Sequence, residues 1–341
     1  MKKIAKYSLL GCGTVICLLI MAAIGMKLWW HHLQDSGGYT EDWADTDGLV
    51  ERDLAYGDGI SQRFDLFIPA SASKERTQAL LLFIHGGAWN AGDKVEQEFA
   101  CRRYAKAGYF TAQMNYTLIG NNNPEANLTT MLDEIQMCVN HIVEYSKSKG
   151  YQLDQMALGG LSAGGHLALL YGLKCADQSP LPIAFIASRV GPTDLTEYFT
   201  VPDSTIQAIA DDVKAGRNNP NQQEIERLVR WVSGQTLRSD QYTRQHIDSL
   251  LLSASPVTYV NRQSAPVLLA YGGEDSIVRP IHAHRIDSLL EASEVSHQLV
   301  MFPHSGHFLD KDPDCAIQFV GLVHQYCKQY LGERKTTKSY H

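Results

Sequence analysis

The sequence has no excess of positive charge, and this lack excludes one class of partner. Its 30 lysines and arginines stand against 37 aspartates and glutamates, which gives a formal net charge of −7 at pH 7. Proteins that bind nucleic acid mainly through its phosphates need a basic surface. We therefore expect no nucleic acid among the partners. The sequence also has no internal repeat and no long low-complexity tract, so its ordinary 44% hydrophobic content predicts a globular protein.

Cysteine and histidine are present, but not in patterns that bind metal. None of the seven cysteines forms a Cys-x-x-Cys motif. Two of them lie in the first apolar segment. The other five are an odd number, so at least one of their thiols is unpaired, and we predict no disulfide. His304 and His307 do not form a convincing metal site. His282 and His284 lie two apart on a predicted helix and would point to different faces. We expect no metal and no cofactor.

A long apolar segment near the N-terminus predicts attachment to a membrane. Residues 7–26 contain no charged side chain, three lysines precede them, and the pair Trp29 and Trp30 follows. An uncharged run of about 20 residues is long enough to cross a bilayer, and tryptophan is enriched at membrane interfaces. The lysines place the N-terminus in the cytoplasm and the main domain outside it, periplasmic or extracellular. A cleaved signal of a secreted protein, with Ala23-Ile24-Gly25 as its cleavage site, remains the alternative.

The rest of the chain alternates between strand and helix patterns. Apolar residues at helical spacing predict a helix over residues 124–149. Short apolar runs predict strands at residues 62–69, 78–85, 156–159, 183–190, 265–271 and 297–302. Such alternation predicts an α/β protein with a mostly parallel, twisted sheet and helices on both faces. Ligands of such sheets bind at the carboxyl ends of the strands.

Differences in composition along the sequence divide the chain into segments. A polar stretch with helical patterning, residues 195–253, predicts an insertion that caps the ligand site. The predicted segments are the anchor or signal 1–36, a linker 37–48, the α/β domain 49–331 and a polar tail 332–341.

One serine has the sequence context of a catalytic nucleophile. Ser162 lies in Gly-Leu-Ser-Ala-Gly, directly after a predicted strand and before a helical pattern. Glycines on both sides of a serine allow the sharp strand-to-helix turn that raises its hydroxyl into the open. A short Gly-rich helix start would be the structural alternative, but the strand before it and the helix after it favour catalysis. Ser162 would lie at a helix N-terminus, which favours developing negative charge.

Two later strands end in side chains that could activate this serine. A serine at its ordinary pKa needs a base that is oriented by a third group. Glu274 and Asp275 follow the strand at residues 265–271, and either carboxylate could orient the base, with the better spacing at Asp275. After the next strand come His304 and His307, and His307, flanked by Gly306, is the better candidate for the base. The chain order Ser, acid, His is that of α/β-hydrolases.

Two adjacent glycines follow an earlier predicted strand, and they have no side chain to pack in the core. The stretch "LFIHGGAW" places Gly86 and Gly87 just after the apolar run. Two glycines cost backbone entropy, so a need for exposed backbone N–H groups is the functional explanation, and a tight turn is the structural one.

Taken in order, "HGGAW", "GLSAGG", "SPVTYV", "GGEDSIV" and "SGHF" resemble the α/β-hydrolases of the hormone-sensitive-lipase and BD-FAE-like esterase group. The resemblance runs from about residue 56 to about residue 331. It implies that Ser162 is the nucleophile, that His307 is the base and that Asp275 orients it.

The resemblance also implies an oxyanion hole made of backbone N–H groups from Gly87, Ala88 and Ala163. It implies that Trp89 lines the acyl or alcohol pocket and that His85 fixes the loop by a hydrogen bond. The lipase-like branch usually has a third glycine where this chain has Ala88, a change that keeps the N–H group.

The resemblance implies a serine esterase that acts on small carboxylic esters, a small-molecule substrate class. An arylformamidase-like amidase or a peptidase with the same triad is the first alternative. A non-catalytic protein of the same fold, tethered at the membrane, is the second, although that class usually lacks a triad member. The oligomeric state cannot be derived from the residues.

Overall fold

The structure is a computed structural model that describes residues 42–120 and 122–333. The predicted anchor or signal, residues 1–36, lies outside the described residues, as do residues 334–341 of the predicted tail. Within the described ranges, no helix is both long enough and apolar enough to span a membrane.

Eight strands form one mostly parallel sheet. In chain order they are β1 Gly48–Ala55, β2 Arg63–Pro69, β3 Gln78–Ile84, β4 Phe110–Met114, β5 Leu153–Leu161, β6 Ile183–Arg189, β7 Val267–Gly272 and β8 His297–Phe302. Their order across the sheet is β1-β2-β4-β3-β5-β6-β7-β8. The pairs β1–β2 and β2–β4 are antiparallel, and every other pair is parallel.

Nine α-helices connect and cover the strands of the described chain. They are α1 Glu98–Lys106, α2 Leu128–Ser148, α3 Ala163–Lys174, α4 Leu195–Tyr198, α5 Asp203–Lys214, α6 Gln222–Ser233, α7 Arg244–Ser253, α8 Ile281–Ala292 and α9 Pro313–Leu331. Helices α4 to α7 all lie between β6 and β7, in the segment where the sequence predicts an insertion.

The sheet is buried on both faces because side chains alternate along each strand. On β3, Leu80 and Leu82 belong to one apolar cluster, together with residues of α2, α3, α8 and the insertion. Their neighbours Leu81 and Phe83 belong to a second cluster that contains residues of α1 and α9. Helices therefore cover both faces of the sheet, and the predicted fold class is confirmed.

Two strands of the structure are absent from the sequence prediction. Strand β1 is missed because its charged residues, among them Glu51 and Arg52, hide the apolar alternation of an edge strand. Strand β4 is missed because its alternate residues Thr111 and Gln113 are polar, although the whole strand is buried.

The start of one helix also differs from the sequence prediction. Helix α2 begins at Leu128 instead of residue 124. The side chain of Asn127 accepts hydrogen bonds from the N–H groups of Thr129 and Thr130, which caps the helix there.

Candidate active site

The predicted site residues meet at one edge of the sheet. Parallel strands bring their carboxyl ends to the same edge, and β3, β5, β7 and β8 all belong to the parallel part. The loop after each of these strands carries one predicted group: the HGG loop after β3, Ser162 after β5, Asp275 after β7 and His307 after β8.

Ser162 lies at a strained turn between β5 and α3. Its backbone has φ 55° and ψ −121°, a conformation that side-chain-bearing residues rarely adopt. Its N–H donates to the carbonyl of Arg189 on the neighbouring strand β6, at 2.8 Å, which fixes the turn to the sheet. The turn leaves Ser162 8% exposed at the helix N-terminus, where the predicted nucleophile elbow requires it.

Ser162, His307 and Asp275 form a continuous chain of hydrogen bonds. His307 Nδ1 lies 2.7 Å from Asp275 Oδ2, and His307 Nε2 lies 2.9 Å from Ser162 Oγ. A carboxylate oxygen only accepts, so Nδ1 carries the proton and donates it to Asp275. In the neutral imidazole, Nε2 is then the unprotonated nitrogen and accepts from the serine hydroxyl. This is the arrangement in which an imidazole can take the serine proton.

The competing acid and the competing histidine point away from this chain. The Glu274 side chain is 60% exposed and forms an ion pair with Lys311 at 3.4 Å. The His304 side chain is 76% exposed, and its Nδ1 lies 2.8 Å from Asp312 Oδ1. The structure thus brings Asp275 and His307 to Ser162 and leaves Glu274 and His304 outside.

The HGG loop lies against the serine turn, since a Cβ atom on Gly86 would lie 3.5 Å from the Cβ of Ser162. Gly87 and Ala88 have φ values of 104° and 50°, so this segment uses the left-handed region that glycine favours. Ala88 adopts it despite its side chain. In the described chain, no backbone carbonyl accepts from the N–H groups of Gly87, Ala88 or Ala163. These three predicted donors are therefore available to an anion.

Close backbone contact joins the HGG loop to the serine helix. A Cβ atom on Gly164 would lie 2.1 Å from the carbonyl oxygen of Ile84, at the end of β3. Only a residue without a side chain allows the start of α3 to approach β3 this closely. His85 supports the loop from below. Its Nδ1 lies 2.7 Å from the Gly86 carbonyl, and its ring stacks on Tyr116 with 4.3 Å between centroids.

Comparison with known proteins assigns this chain to a family. A family model described as BD-FAE matches residues 64–290, well over half of the 341 residues. The chain belongs to the BD-FAE family. The match includes the HGG loop, Ser162 and Asp275, and it ends before His307.

Individual relatives of this BD-FAE chain are distant. The esterase LipQ of Mycobacterium tuberculosis is 22% identical over 263 residues, which cover 76% of this chain and 57% of LipQ. The kynurenine formamidase of Salmo salar is 26% identical over 118 residues, which cover 34% of this chain and 36% of that protein. The chain thus spans little more than half the length of LipQ, and less of the formamidase.

Solved structures share the fold of the BD-FAE chain. A carbohydrate esterase from gut microbiota, solved in a truncated form, matches with a TM-score of 0.63 and 15% identity. The match covers 86% of this chain and 100% of that structure. This likeness shows the α/β-hydrolase fold that the sequence predicts.

Trp89 lies in the HGG loop, enclosed by side chains that the sequence analysis did not single out. The indole is 4% exposed. Its Nε1 donates to His166 Nδ1 at 3.2 Å, and the rings of Tyr198 and Phe199 pack at 5.7 and 6.2 Å between centroids. That Trp89 contacts substrate stays a prediction. His166 directly follows the Gly-Gly of the serine motif, and the aromatic pair opens the insertion, which are the signals that could have identified them.

Within the described residues, no group of three or more His, Cys, Asp or Glu side chains is arranged to hold a metal ion. His282 is buried and His284 is exposed, so this pair does face different ways on α8. The five described cysteines are free thiols.

Proposed function

We propose that this protein is a serine hydrolase that cleaves carboxylic esters of small acyl groups. The observation that carries the proposal is the hydrogen-bonded chain from Ser162 through His307 to Asp275. The names of relatives such as esterase LipQ support the same reaction class.

In the first half of the reaction, Ser162 Oγ attacks the ester carbonyl while His307 Nε2 takes the hydroxyl proton. Asp275 stabilises the imidazolium that forms. Negative charge develops on the carbonyl oxygen, and the N–H groups of Gly87, Ala88 and Ala163 would donate to it. One such donor is typically worth roughly 10²–10³ in rate. The tetrahedral intermediate then collapses and the ester C–O bond breaks, which leaves the acyl group on Ser162 Oγ. The imidazolium gives the former serine proton to the leaving alkoxide, which departs as the alcohol.

The second half repeats these steps with water. His307 Nε2 removes a proton from a water molecule as its oxygen attacks the acyl-serine, and the same donors hold the oxyanion. Collapse of the tetrahedral intermediate breaks the bond to Ser162 Oγ, which regains the proton from the imidazolium. The carboxylic acid is released, and the free enzyme is regenerated.

The proposed small acyl group comes from the family resemblance, and the surroundings of the HGG loop support an apolar one. The rings of Trp89, Tyr198 and Phe199 pack against each other there. Aromatic side chains of this kind offer an acyl group apolar contact.

The decisive experiment is labelling with a fluorophosphonate probe, together with turnover of p-nitrophenyl acetate. We expect the wild-type protein to be labelled and to hydrolyse the ester, and the Ser162→Ala variant to do neither. Labelling of Ser162→Ala would reject this nucleophile. If the wild type is neither labelled nor active, a non-catalytic protein is the better explanation.

An amide substrate is the second candidate, because of the similarity to kynurenine formamidase over 118 residues. Parallel assays with N-formylkynurenine and p-nitrophenyl acetate separate the two. We expect a higher kcat/KM for the ester, and a higher value for the formamide would assign the protein to the amidase alternative.

We also propose that residues 1–36 hold the catalytic domain at the outer face of a membrane. The uncharged run of residues 7–26 supports this proposal. Cell fractionation and N-terminal sequencing test it: an intact N-terminus in the membrane fraction is expected, whereas mature protein that starts near residue 26 in the soluble fraction would indicate a cleaved signal.

A further inference from the structure

His166 joins three parts of the candidate active site. It lies on α3, where its N–H donates to the carbonyl of Ser162 at 2.9 Å. Its ring Nδ1 lies 3.2 Å from the indole Nε1 of Trp89 in the HGG loop. Its ring Nε2 lies 2.8 Å from the carbonyl of Ala254, at the end of the insertion. The serine turn, the HGG loop and the insertion therefore meet at one buried imidazole.

The two ring contacts determine where the proton of His166 is. An indole nitrogen only donates, so Nδ1 must be the unprotonated acceptor. A carbonyl only accepts, so Nε2 must carry the proton and donate it to Ala254. Both contacts are satisfied only by this neutral tautomer. Burial agrees with it, because it lowers the pKa of His166 to about 4.

The hydrogen bond between Trp89 and His166 acts on a strained part of the HGG loop. Ala88 and Trp89 both have positive φ, 50° and 60°, which costs free energy for residues with side chains. Such a conformation persists only where surrounding contacts hold it. Several contacts hold Trp89. Its carbonyl accepts from Ile119 N–H at 2.9 Å, its ring packs against aromatic side chains such as Tyr198, and its indole N–H donates to His166.

We propose that His166 is a positioning residue. Through its contact with Trp89 it holds the N–H groups of Gly87 and Ala88 in place for the oxyanion. Through its contact with Ala254 it connects the HGG loop to the end of the insertion. The proposal rests on the proposed ester hydrolysis. The indole contact bears on the rate of the chemical step, since it acts on groups that stabilise the transition state. The Ala254 contact bears on the attachment of the insertion.

Two amide substitutions separate the contacts. The oxygen of Asn occupies the position of Nδ1, so His166→Asn keeps an acceptor for Trp89 and loses the donor to Ala254. The amide of Gln reaches the position of Nε2, so His166→Gln keeps the donor to Ala254 and loses the acceptor for Trp89.

We expect His166→Gln to lower kcat on p-nitrophenyl acetate at least about tenfold with little change in KM, because a buried N–H is left unpaired. His166→Asn should recover most of that kcat. Equal losses of kcat in both variants would overturn the proposal.

Trp89→Phe is the matched variant on the other side of the contact. It keeps an aromatic ring and removes the N–H donor, so the same fall in kcat is expected. Combining it with His166→Gln should cost little more than either change alone, because both remove one interaction. Unchanged kcat in Trp89→Phe, or full additivity in the double variant, would overturn the proposal.

A measurement without substrate keeps this proposal distinct from the proposed function. In protein labelled with ¹⁵N-tryptophan, Trp89→Phe identifies the Trp89 indole N–H signal. We expect that signal to move in His166→Gln and to stay close to its wild-type position in His166→Asn. An unmoved signal in His166→Gln would overturn the contact even if the wild type hydrolyses esters normally. A moved signal in a protein without esterase activity would support the contact and reject the proposed function.

Discussion

Asp275 uses its two carboxylate oxygens for different partners. Oδ2 lies 2.7 Å from His307 Nδ1, while Oδ1 accepts from the backbone N–H groups of Ile277 and Val278, at 2.8 and 2.9 Å. The backbone contacts fix the direction of the carboxylate before any substrate binds. The neighbouring acid, Glu274, has no such support and is mostly exposed.

This geometry predicts the effect of Asp275→Asn. An amide has one acceptor oxygen, and the two backbone N–H groups would attract it, which turns the amide NH₂ toward His307. His307 would then have to accept at Nδ1 and carry its proton on Nε2, where it cannot take the serine proton. We expect kcat on p-nitrophenyl acetate to fall by roughly 10⁴, the scale known for a neutralised triad acid.

Glu274→Gln is the matched control for that substitution. It neutralises the adjacent acid and breaks only an exposed ion pair with Lys311, and such pairs contribute little to stability. We expect its kcat to stay within about tenfold of the wild type. The opposite ranking of the two variants would transfer the orienting role to Glu274.

At the scale of elements, the contact between the end of β3 and the start of α3 holds the HGG loop beside Ser162. A Cβ on Gly164 would lie 2.1 and 2.5 Å from the backbone oxygens of Ile84 and His85. No side-chain rotation relieves contact with backbone atoms, so β3 and α3 would have to separate.

We therefore expect Gly164→Ala to lower kcat/KM by about 10² or more, since small displacements of catalytic groups cost that much. Gly321→Ala is the control, because Gly321 is an exposed helical residue of α9 whose added Cβ would meet nothing within 4 Å. It should leave kcat/KM unchanged and raise the free energy of unfolding by about 0.5–1 kcal/mol. Normal activity in Gly164→Ala would show that the two elements can separate without harm.

At the scale of the whole molecule, buried histidines make stability depend on pH. Burial lowers the pKa values of His85, His166 and His282 to about 4 each. In the unfolded chain these groups titrate near pH 6.5. Between these values the unfolded state binds protons that the folded state does not, so stability falls as the pH falls. Glu96 has the opposite effect, because burial raises its pKa to about 7 in the folded state. Below that pH the folded state binds one proton that the unfolded state does not.

For these four groups together the net difference is at most two protons, which corresponds to a slope of up to about 3 kcal/mol per pH unit between roughly pH 6.5 and 4.5. We expect the urea midpoint to be clearly lower at pH 5 than at pH 7.5. Glu96→Gln removes the opposing group and should make the loss steeper. A midpoint that is equal at both pH values would show that these histidines do not titrate differently in the two states.

The sequence by itself determined the α/β architecture and the identity of the residues that meet in the site. Apolar runs at period two and at helical spacing are local, and so are Gly-x-Ser-x-Gly and the loops with Asp275 and His307. Because parallel strands end at one edge of a sheet, the order of these motifs was enough to predict that they meet. Edge strand β1 was missed because an exposed strand needs no apolar alternation that a local pattern could show. The buried strand β4 was missed because Thr111 and Gln113 interrupt its apolar residues.

Only the tertiary structure decided which atoms face each other. Glu274 and Asp275 are adjacent, and the sequence favoured Asp275 by its spacing and by the family resemblance. The structure shows the contact itself, 2.7 Å between Asp275 Oδ2 and His307 Nδ1. His307 and Ser162 are 145 positions apart, and His166 and Trp89 are 77 apart. Contacts across such distances arise from the packing of strands, helices and insertion against one another, which leaves no periodicity in the chain. The neutral tautomer of His166 and the strain at Ala88 follow from that packing alone.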